Sequence, residues 1–140
     1  MTVRIGELAL AAGVLTPRQL DAARVQQKQG GGRLGAVLVS LGYVTEQQVT
    51  DLVARQYGLP AVNDLDSLEV PPKVLALVPR EHCVSHGVLP LARQGATLQM
   101  AMADPTNVFA MDPIQFKTGL KVKPLVAAES AILRALQRLY

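Results

Sequence analysis

Aromatic residues and cysteine are scarce in this chain, and each of these features excludes some classes of function. Two Phe, three Tyr and no Trp occur among 140 residues, so the core must be built from Leu, Val and Ala. Modules for single-stranded nucleic acid depend on aromatic platforms, and the composition argues against them. The single cysteine, Cys83, excludes an internal disulfide and a metal cage made of thiolates, and it fits a reducing compartment.

Long apolar runs and blocks of like charge are missing as well. No stretch approaches the ~18 apolar residues of a spanning helix. The opening apolar run is interrupted by Glu7 and closed by Thr16-Pro17, without the cleavage site of a signal peptide. The formal charge is +3, with Arg and Lys scattered, which favours a small anionic ligand over a nucleic-acid backbone. We therefore predict a soluble, cytoplasmic protein with no DNA or RNA partner and no membrane insertion.

A repeat with a period of 29 residues organises the first half of the chain. Residues 4–27 align with residues 33–56 without a gap, and six of the 24 positions are identical. Such self-similarity indicates one supersecondary element used twice. The identical pairs are Arg4/Arg33, Gly6/Gly35, Gly13/Gly42, Thr16/Thr45, Gln19/Gln48 and Gln27/Gln56.

Each copy of the repeat predicts a helical hairpin. The first helix ends at Gly13 or Gly42, because glycine tolerates the left-handed position after a helix. The second helix begins with a capping box, Thr16 or Thr45 with Gln three residues later. Gly30-Gly31-Gly32 between the copies predicts a flexible joint. The predicted helices span residues 4–12, 17–28, 33–41 and 46–56.

The second half of the chain predicts a small α/β unit after a proline-rich stretch. The predicted strands are 88–92, 98–102 and 121–126, and the helices are 72–78, 80–85, 106–117 and a last helix capped by Ser130 and ending at Leu139. The predicted fold class is therefore α+β. A helical lobe of two tandem hairpins (1–60) leads into an α/β lobe (61–140) with a roughly three-stranded sheet.

The motifs of common enzymes are missing from the sequence. No Gly-x-x-x-x-Gly-Lys-Ser/Thr string holds phosphates and magnesium, so ATP hydrolysis is not predicted. His82 and His86 can share a helix face, but no third metal ligand accompanies them, and ordinary partly exposed histidines are the preferred interpretation. No grouping of Ser, His and an acid suggests a nucleophile. The residues predict a protein that is not an enzyme and that carries no cofactor or metal.

The repeat itself offers a candidate binding site with twofold character. Arg4 and Arg33 each stand at a helix start, where a guanidinium can pair with phosphate or with the O6/N7 edge of guanine. Gly6 and Gly35 would let a ligand approach the backbone closely. The spacing i, i+4, i+7 places three side chains of each second helix on one face, namely Leu20, Arg24 and Gln27, and Val49, Val53 and Gln56.

A purely structural duplication explains the same residues. Apolar positions at this spacing usually belong to a core, and a repeated glycine is explained by helix ends. The residues by themselves leave both interpretations open and favour the structural one.

The tandem pattern resembles that of the MshEN domain, a family that binds cyclic di-GMP. The family motif, Arg-Leu-Gly-x-x-φ-φ-x-x-Gly-φ-φ-x-x-x-x-Leu-x-x-x-Leu-x-x-Gln with φ aliphatic, is written twice with a five-residue spacer, here residues 28–32. Residues 88–91, 101–108 and 135–140 are similar to the N-terminal domain of type II secretion and type IV pilus assembly ATPases. The resemblance implies a non-enzymatic receptor domain that passes this second-messenger signal to a protein partner of the secretion or pilus machinery.

Carried over by position, the resemblance implies that each motif holds one guanine half of cyclic di-GMP. Asp104 would reach the ligand from the second lobe. Arg24 stands where the motif has Leu, and it would either stack on guanine or weaken the first half-site by removing an apolar wall. The implied ligand-binding residues are Arg4, Ile5, Gly6, Leu20 and Gln27 for one half and Arg33, Leu34, Gly35, Val49, Val53 and Gln56 for the other.

Two further functions compete with the receptor. Some N-terminal domains of secretion ATPases look like this one yet dock on a cytoplasmic part of the inner-membrane assembly platform. An enzyme acting on a nucleotide has no motif in its favour. The sequence fits either a free-standing receptor or a part of a longer protein, and we expect the glycine joint to let the hairpins close around a ligand.

Overall fold

The computed structural model describes residues 5–140, which form eight helices and a three-stranded sheet. In chain order the elements are α1 (Ile5–Ala11), α2 (Pro17–Gly30), α3 (Leu34–Ser40), α4 (Glu46–Tyr57), α5 (Pro72–Leu75), α6 (Arg80–His86), β1 (Val88–Gln94), β2 (Thr97–Met102), α7 (Val108–Thr118), β3 (Lys121–Val126) and α8 (Glu129–Leu139). The α+β class predicted from the sequence is confirmed. Within residues 5–140, no helix is long and apolar enough to cross a membrane.

Capping boxes start the second helix of both hairpins, as the sequence predicts. Thr16 Oγ1 accepts from the Gln19 N–H at 3.2 Å, and Gln19 Oε1 accepts from the Thr16 N–H at 3.0 Å. Thr45 and Gln48 repeat the pair at 3.1 and 2.8 Å. Each box satisfies two backbone groups that a helix start otherwise leaves unpaired, so four residues of local sequence fix where α2 and α4 begin.

Several boundaries differ from the sequence prediction. Helix α2 runs through the spacer to Gly30, and α5 ends at Leu75 instead of residue 78. The prediction that Ser130 caps the last helix is wrong, because the N-cap is Ala128. The hydroxyl of Ser130 donates instead to Glu46 Oε1 of α4 at 2.5 Å, a partner 84 residues away that no local pattern reveals.

The sheet has the order β1-β2-β3. Strands β1 and β2 form an antiparallel hairpin with a bulge between Pro90 and Ala92, and β2 pairs with β3 in parallel. A parallel pair needs a crossover, and α7 supplies it. The ends of β2 and β3 therefore open at the same edge of the sheet, and the loops that follow them face the helical hairpins.

Two apolar clusters form the interior. One contains side chains of α1 to α4, and the other contains the sheet with α5 to α8. Val126, at the end of β3, is buried in the first cluster although it belongs to the sheet. Its N–H donates to Pro60 O at 2.9 Å, and its carbonyl accepts from the Val62 N–H at 2.8 Å. The segment after α4 thus runs along β3 and attaches the hairpins to the sheet.

A polar network outside the apolar clusters also joins α4 to α8. The guanidinium of Arg134 donates to both carboxylate oxygens of Glu46, at 2.8 and 3.1 Å, and its Nε donates to Asp66 at 3.2 Å. The hydrogen bonds from Arg134 and then from Ser130 lower the pKa of Glu46. Glu46 therefore stays ionised to a lower pH than an ordinary glutamate, and it ties the second hairpin to the last helix.

Candidate functional site

A cleft of about 340 Å³ lies where the second hairpin meets the loops at the edge of the sheet. It is smaller than most drug-sized ligand sites, which hold ~300–1,000 Å³. Its walls come from both halves of the chain, so it exists only when the two lobes are packed together. The lining residues are Ile5, Gln27, Gly32, Arg33, Leu34, Gly35, Ala36, Val39, Val49, Thr50, Val53, Ala103, Asp104, Val126, Ala127, Ala128, Glu129 and Ser130.

Most of the second-motif residues that are expected to bind a ligand line this cleft. Arg33 is the residue before α3, with an extended backbone (φ −79°, ψ 141°) and no side-chain cap on the helix. Val49 and Val53 lie one turn apart on α4 and present an apolar wall. Leu34 and Gly35 complete the floor. Of the six second-motif residues expected to bind, five therefore line one cavity.

Arg33 is paired with two acidic residues of the α/β lobe. Its Nε lies 3.0 Å from Glu129 Oε2, and one terminal nitrogen lies 3.9 Å from Asp104 Oδ2. Asp104 also accepts, through Oδ1, from the Thr106 N–H at 3.0 Å and from the Thr106 hydroxyl at 2.5 Å. Asp104 is thus fixed by the turn before α7, and it faces the cleft as expected.

Glu129 is the cleft residue whose polar atoms are least well satisfied. Its Oε2 is buried and accepts no hydrogen bond, so the 3.0 Å contact with Arg33 Nε is an ion pair without hydrogen-bond alignment. The side chain stands in the first turn of α8, where the positive end of the helix dipole favours a negative charge. A buried acceptor without a donor is unusual and is easily recruited by an arriving donor.

The first motif contributes far less to the cleft. Of its residues that the structure describes, Ile5 and Gln27 line the cleft, and the Gln27 Nε2 donates to Gly32 O at 2.9 Å. Leu20 is buried in the apolar cluster, Arg24 is exposed on α2, and neither lines the cleft. The predicted face of Leu20, Arg24 and Gln27 therefore does not form one surface at this cavity, and Arg4 lies outside the described residues.

The two repeated glycines hold the hairpins together by reciprocal contacts. A Cβ on Gly6 would lie 2.7 Å from Leu20 Cδ1 and 3.2 Å from Leu34 Cδ2. A Cβ on Gly35 would lie 3.2 Å from Val49 Cγ1 and 4.0 Å from Ile5 Cγ1. Since Ile5 corresponds to Leu34 and Leu20 to Val49, each glycine faces a side chain of its own second helix and one of the other hairpin. The hairpins are thus related by an approximate twofold arrangement, in which glycine serves close helix packing.

Gln56 lies away from the cleft. It is exposed near the end of α4 and lines a shallower groove of about 220 Å³ between α1 and α4. Its counterpart Gln27 reaches the cleft because α2 leads directly into the glycines that border it. The other residues of the groove are Leu8, Ala11, Ala12, Leu52 and Arg55.

Sequence reasoning missed the far wall of the cleft. Ala103 follows β2, Val126 ends β3 and residues 127–130 follow it. Side chains at the ends of parallel strands often meet at one sheet edge. The signal that was available is the acidic residue at the start of the last helix, Glu129. Nothing local to residue 129 indicates that it meets Arg33.

The two histidines form no metal site with other described residues. Their rings lie 4.5 Å apart between centroids, and His82 Nε2 contacts Ala110 O at 2.8 Å. No group of three or more His, Cys, Asp or Glu that can hold a metal is found in residues 5–140. Burial and the neighbouring His82 lower the pKa of His86, so the His86 ring favours the neutral form.

Comparison with known proteins places the fold in a family. The MshEN domain matches residues 57–140, which covers the α/β lobe and the far wall of the cleft. The chain belongs to the MshEN domain family. The type IV pilus assembly ATPase PilB of Myxococcus xanthus is 39% identical over 140 residues, which cover 100% of this chain and 25% of that protein. The chain thus spans a quarter of that relative's length, and the match includes both tandem motifs.

Two solved structures share the MshEN fold along almost the whole chain. The structure of MshE with cdg superposes with a TM-score of 0.75 and 31% identity, covering 99% of this chain and 100% of that chain. The N-terminal domain of XpsE superposes with a TM-score of 0.76 and 27% identity, covering 98% of this chain and 94% of that one. Both agree with the predicted architecture of tandem hairpins followed by a small α/β lobe.

Proposed function

We propose that this MshEN domain is a cyclic di-GMP receptor that binds the dinucleotide through the cleft at the second motif. The observation that carries the proposal is the position of Arg33, beside an apolar wall and at the junction of the two lobes. The family relation and the superposition with MshE with cdg support the same ligand.

The chemistry of the cleft matches one guanine half of the ligand. The Arg33 guanidinium can donate two parallel hydrogen bonds to O6 and N7 of guanine or to a phosphate. Val49 and Val53 can press on a face of the base, and Asp104 can accept from its N–H groups. The cavity is small for a whole dinucleotide, so the second guanine would extend past Ile5 and Leu34 toward the first motif.

We propose that the cleft between the two lobes also transmits the effect of ligand binding to a protein partner. Because its walls come from both lobes, a bound ligand contacts both and can change the surface that they present to a partner. We propose a protein of the secretion or pilus machinery as that partner, and a role without catalysis for residues 5–140. The lobe boundary at 60/61 and the cytoplasmic location remain predictions.

Calorimetric titration with cyclic di-GMP tests the receptor function, with GTP and cyclic di-AMP as competitors for specificity. We expect one ligand per chain and selectivity for the guanine dinucleotide. Arg33→Ala should weaken binding by about ten- to a hundredfold, because a hydrogen bond to a charged group contributes ~1.5–3 kcal/mol.

The matched control for this titration is Arg18→Ala. Arg18 is exposed on α2 and does not line the cleft. Its replacement by alanine therefore removes the same charge as Arg33→Ala without removing a side chain from the cleft. No heat with the wild type, at high ligand and without thermal stabilisation, contradicts the receptor function. Equal losses of affinity in Arg33→Ala and Arg18→Ala would show that Arg33 acts only through the net charge of the protein.

A protein-docking domain is the second candidate, and an exposed aromatic face favours it. Both phenylalanines of the chain lie on the outside of α7, where Phe109 is 75% and Phe116 is 94% exposed. They are seven residues apart and share one helix face with Pro113. Exposed apolar patches of this kind often mark contacts with proteins.

The docking function is tested by Phe109→Ser/Phe116→Ser in a binding assay with the cytoplasmic part of an inner-membrane assembly-platform protein. Loss of binding in this variant, with cyclic di-GMP affinity unchanged, would establish a separate docking surface. Retained binding contradicts a role for this face.

A further inference from the structure

The described ionisable groups of the cleft carry more negative than positive charge. Among the described residues that line it, the ionisable side chains are Arg33, Asp104 and Glu129, whose formal charges sum to −1. Cyclic di-GMP has two phosphodiesters and therefore two negative charges. An anionic ligand that binds Arg33 must compete with the carboxylates already paired with it, and like charges in a partly enclosed site repel strongly.

The position of Glu129 in the fold keeps its carboxylate next to the guanidinium of Arg33. Its methylene stem lies beside Gly87, where a Cβ would be 3.8 Å from Glu129 Cγ. Its backbone starts α8, and its Oε2 reaches 3.0 Å from Arg33 Nε. Oε2 of this partly exposed side chain is itself buried and accepts no hydrogen bond, so it lies beside Arg33 in the position that an acceptor atom of the ligand would take.

Unlike Oε2 of Glu129, the carboxylate of Asp104 accepts hydrogen bonds from a neighbouring residue. It lies farther from the guanidinium, at 3.9 Å, and Thr106 already donates two hydrogen bonds to it. The network of Glu46, Arg134 and Asp66 and the backbone hydrogen bonds of Val126 join the lobes without Glu129. Releasing Arg33 from Glu129 therefore frees the cation without separating the lobes.

We propose that Glu129 is an internal competitor of the ligand, which holds Arg33 in the empty cleft and is exchanged for acceptor atoms of the ligand on binding. The inference rests on the proposed function and deepens it. Glu129 is a positioning residue that sets affinity by acting through Arg33. No bond is made or broken in the exchange, and the surplus negative charge turns toward solvent.

Titration of wild type, Glu129→Gln and Glu46→Gln with cyclic di-GMP tests the competition. We expect Glu129→Gln to bind about three- to fivefold more tightly, the factor that corresponds to one partly exposed ion pair. Glu46→Gln removes another carboxylate between the lobes but none from the cleft, so its affinity should equal that of the wild type. If both variants bind more tightly to the same extent, looser lobes explain the gain and the proposal is overturned.

The ¹⁵N–¹H resonance of Arg33 Nε gives a readout that a purely structural role would not change. Arg33→Lys identifies the resonance by its loss. In the ligand-free protein, Glu129→Gln should shift it toward the position of solvent-exposed arginines, and Glu46→Gln should leave it in place. An unchanged resonance in Glu129→Gln shows that the pair does not form in solution and overturns the proposal.

The titrations also separate the two proposals. A wild type that binds cyclic di-GMP while Glu129→Gln gains nothing, or loses affinity, contradicts the competitor role alone. A wild type and a Glu129→Gln variant that both fail to bind contradict the receptor function, and the competitor role with it.

Discussion

The two tandem motifs have similar sequences but different surroundings. The second hairpin packs against the loops after β2 and β3, and its Arg33, Val49 and Val53 line a cleft. Leu20 and Arg24, the first-hairpin equivalents of Val49 and Val53, do not line the cleft, since Leu20 is buried in the apolar cluster and Arg24 is exposed. The repeat therefore determines how the hairpins pack on each other, while the rest of the chain determines which of the described motif residues border the cleft.

The core positions of the two hairpins give the largest expected effect. Leu38 of α3 is 0% exposed, and its equivalent in the first hairpin is Ala9, which is also 0% exposed. Leu38→Ala makes the copies alike and should lower the free energy of unfolding by about 3 kcal/mol, because a fully buried leucine leaves a cavity. Urea denaturation measures the loss.

Leu41→Ala is the control for that measurement, since Leu41 follows the same helix and is 38% exposed. Its loss should stay below about 1 kcal/mol. Equal losses in the two variants would contradict the assignment of Leu38 to the shared core.

Exchanging residues at position 24/53 of the motif sharpens the comparison at the site. Val53→Arg places a charge in the buried wall of the cleft and should cost about 2 kcal/mol of stability, with loss of ligand binding. Arg24→Val changes an exposed residue and should alter stability by no more than about 0.5 kcal/mol. Thermal melts and calorimetry of both variants provide the comparison. If the two variants lose ligand affinity to a similar extent, both half-sites contribute similarly to binding, and the contrast between the motifs is wrong.

The two motif glycines should differ in how well they accept a methyl group. At Gly6 the new Cβ meets Leu20 at 2.7 Å and Leu34 at 3.2 Å, whereas at Gly35 it meets Val49 at 3.2 Å. A methyl group forced into a packed contact lowers the free energy of unfolding by ~1–3 kcal/mol. The higher helix propensity of alanine returns up to ~1 kcal/mol of this loss. Gly6→Ala should therefore lose about 1 kcal/mol net, and Gly35→Ala should change little. A reversed order in chemical denaturation would show that Leu20 yields more easily than Val49.

The smallest expected effect concerns the link that only the second hairpin has to α8. Glu46→Gln should cost about 0.5–1 kcal/mol at pH 7, because the pair with Arg134 is partly exposed. The pKa of Glu46 is lowered by folding, so the ion pair contributes above the ordinary pKa of 4.5 and is lost as the pH falls through the lowered value. The difference between wild type and variant in thermal unfolding should shrink toward pH 3. Asp51→Asn serves as the control, since Asp51 lies on the same helix and outside this network. A constant difference across the pH range would contradict the ionic contribution.

Local signals explain which parts of the fold could be predicted. The capping boxes at Thr16 and Thr45 act within four residues, and both helix starts are confirmed. The left-handed glycines at the ends of the first helices are confirmed as well, with φ of 75° at Gly13 and 77° at Gly42. Ser130 failed as a cap because a long-range acceptor, Glu46, took its hydroxyl. Local hydrogen-bonding preference loses to a tertiary partner that is better placed.

The sequence by itself determined the hairpins, the fold class and the tandem motif, because periodicity, caps and repeats are encoded over a few residues. Only the tertiary structure decided which motif is enclosed and which charges meet. Arg33 is 96 residues from Glu129 in the chain, and the two meet because β3 delivers the start of α8 to the edge of the second hairpin. Contacts across such distances depend on how whole elements pack, which no local pattern specifies.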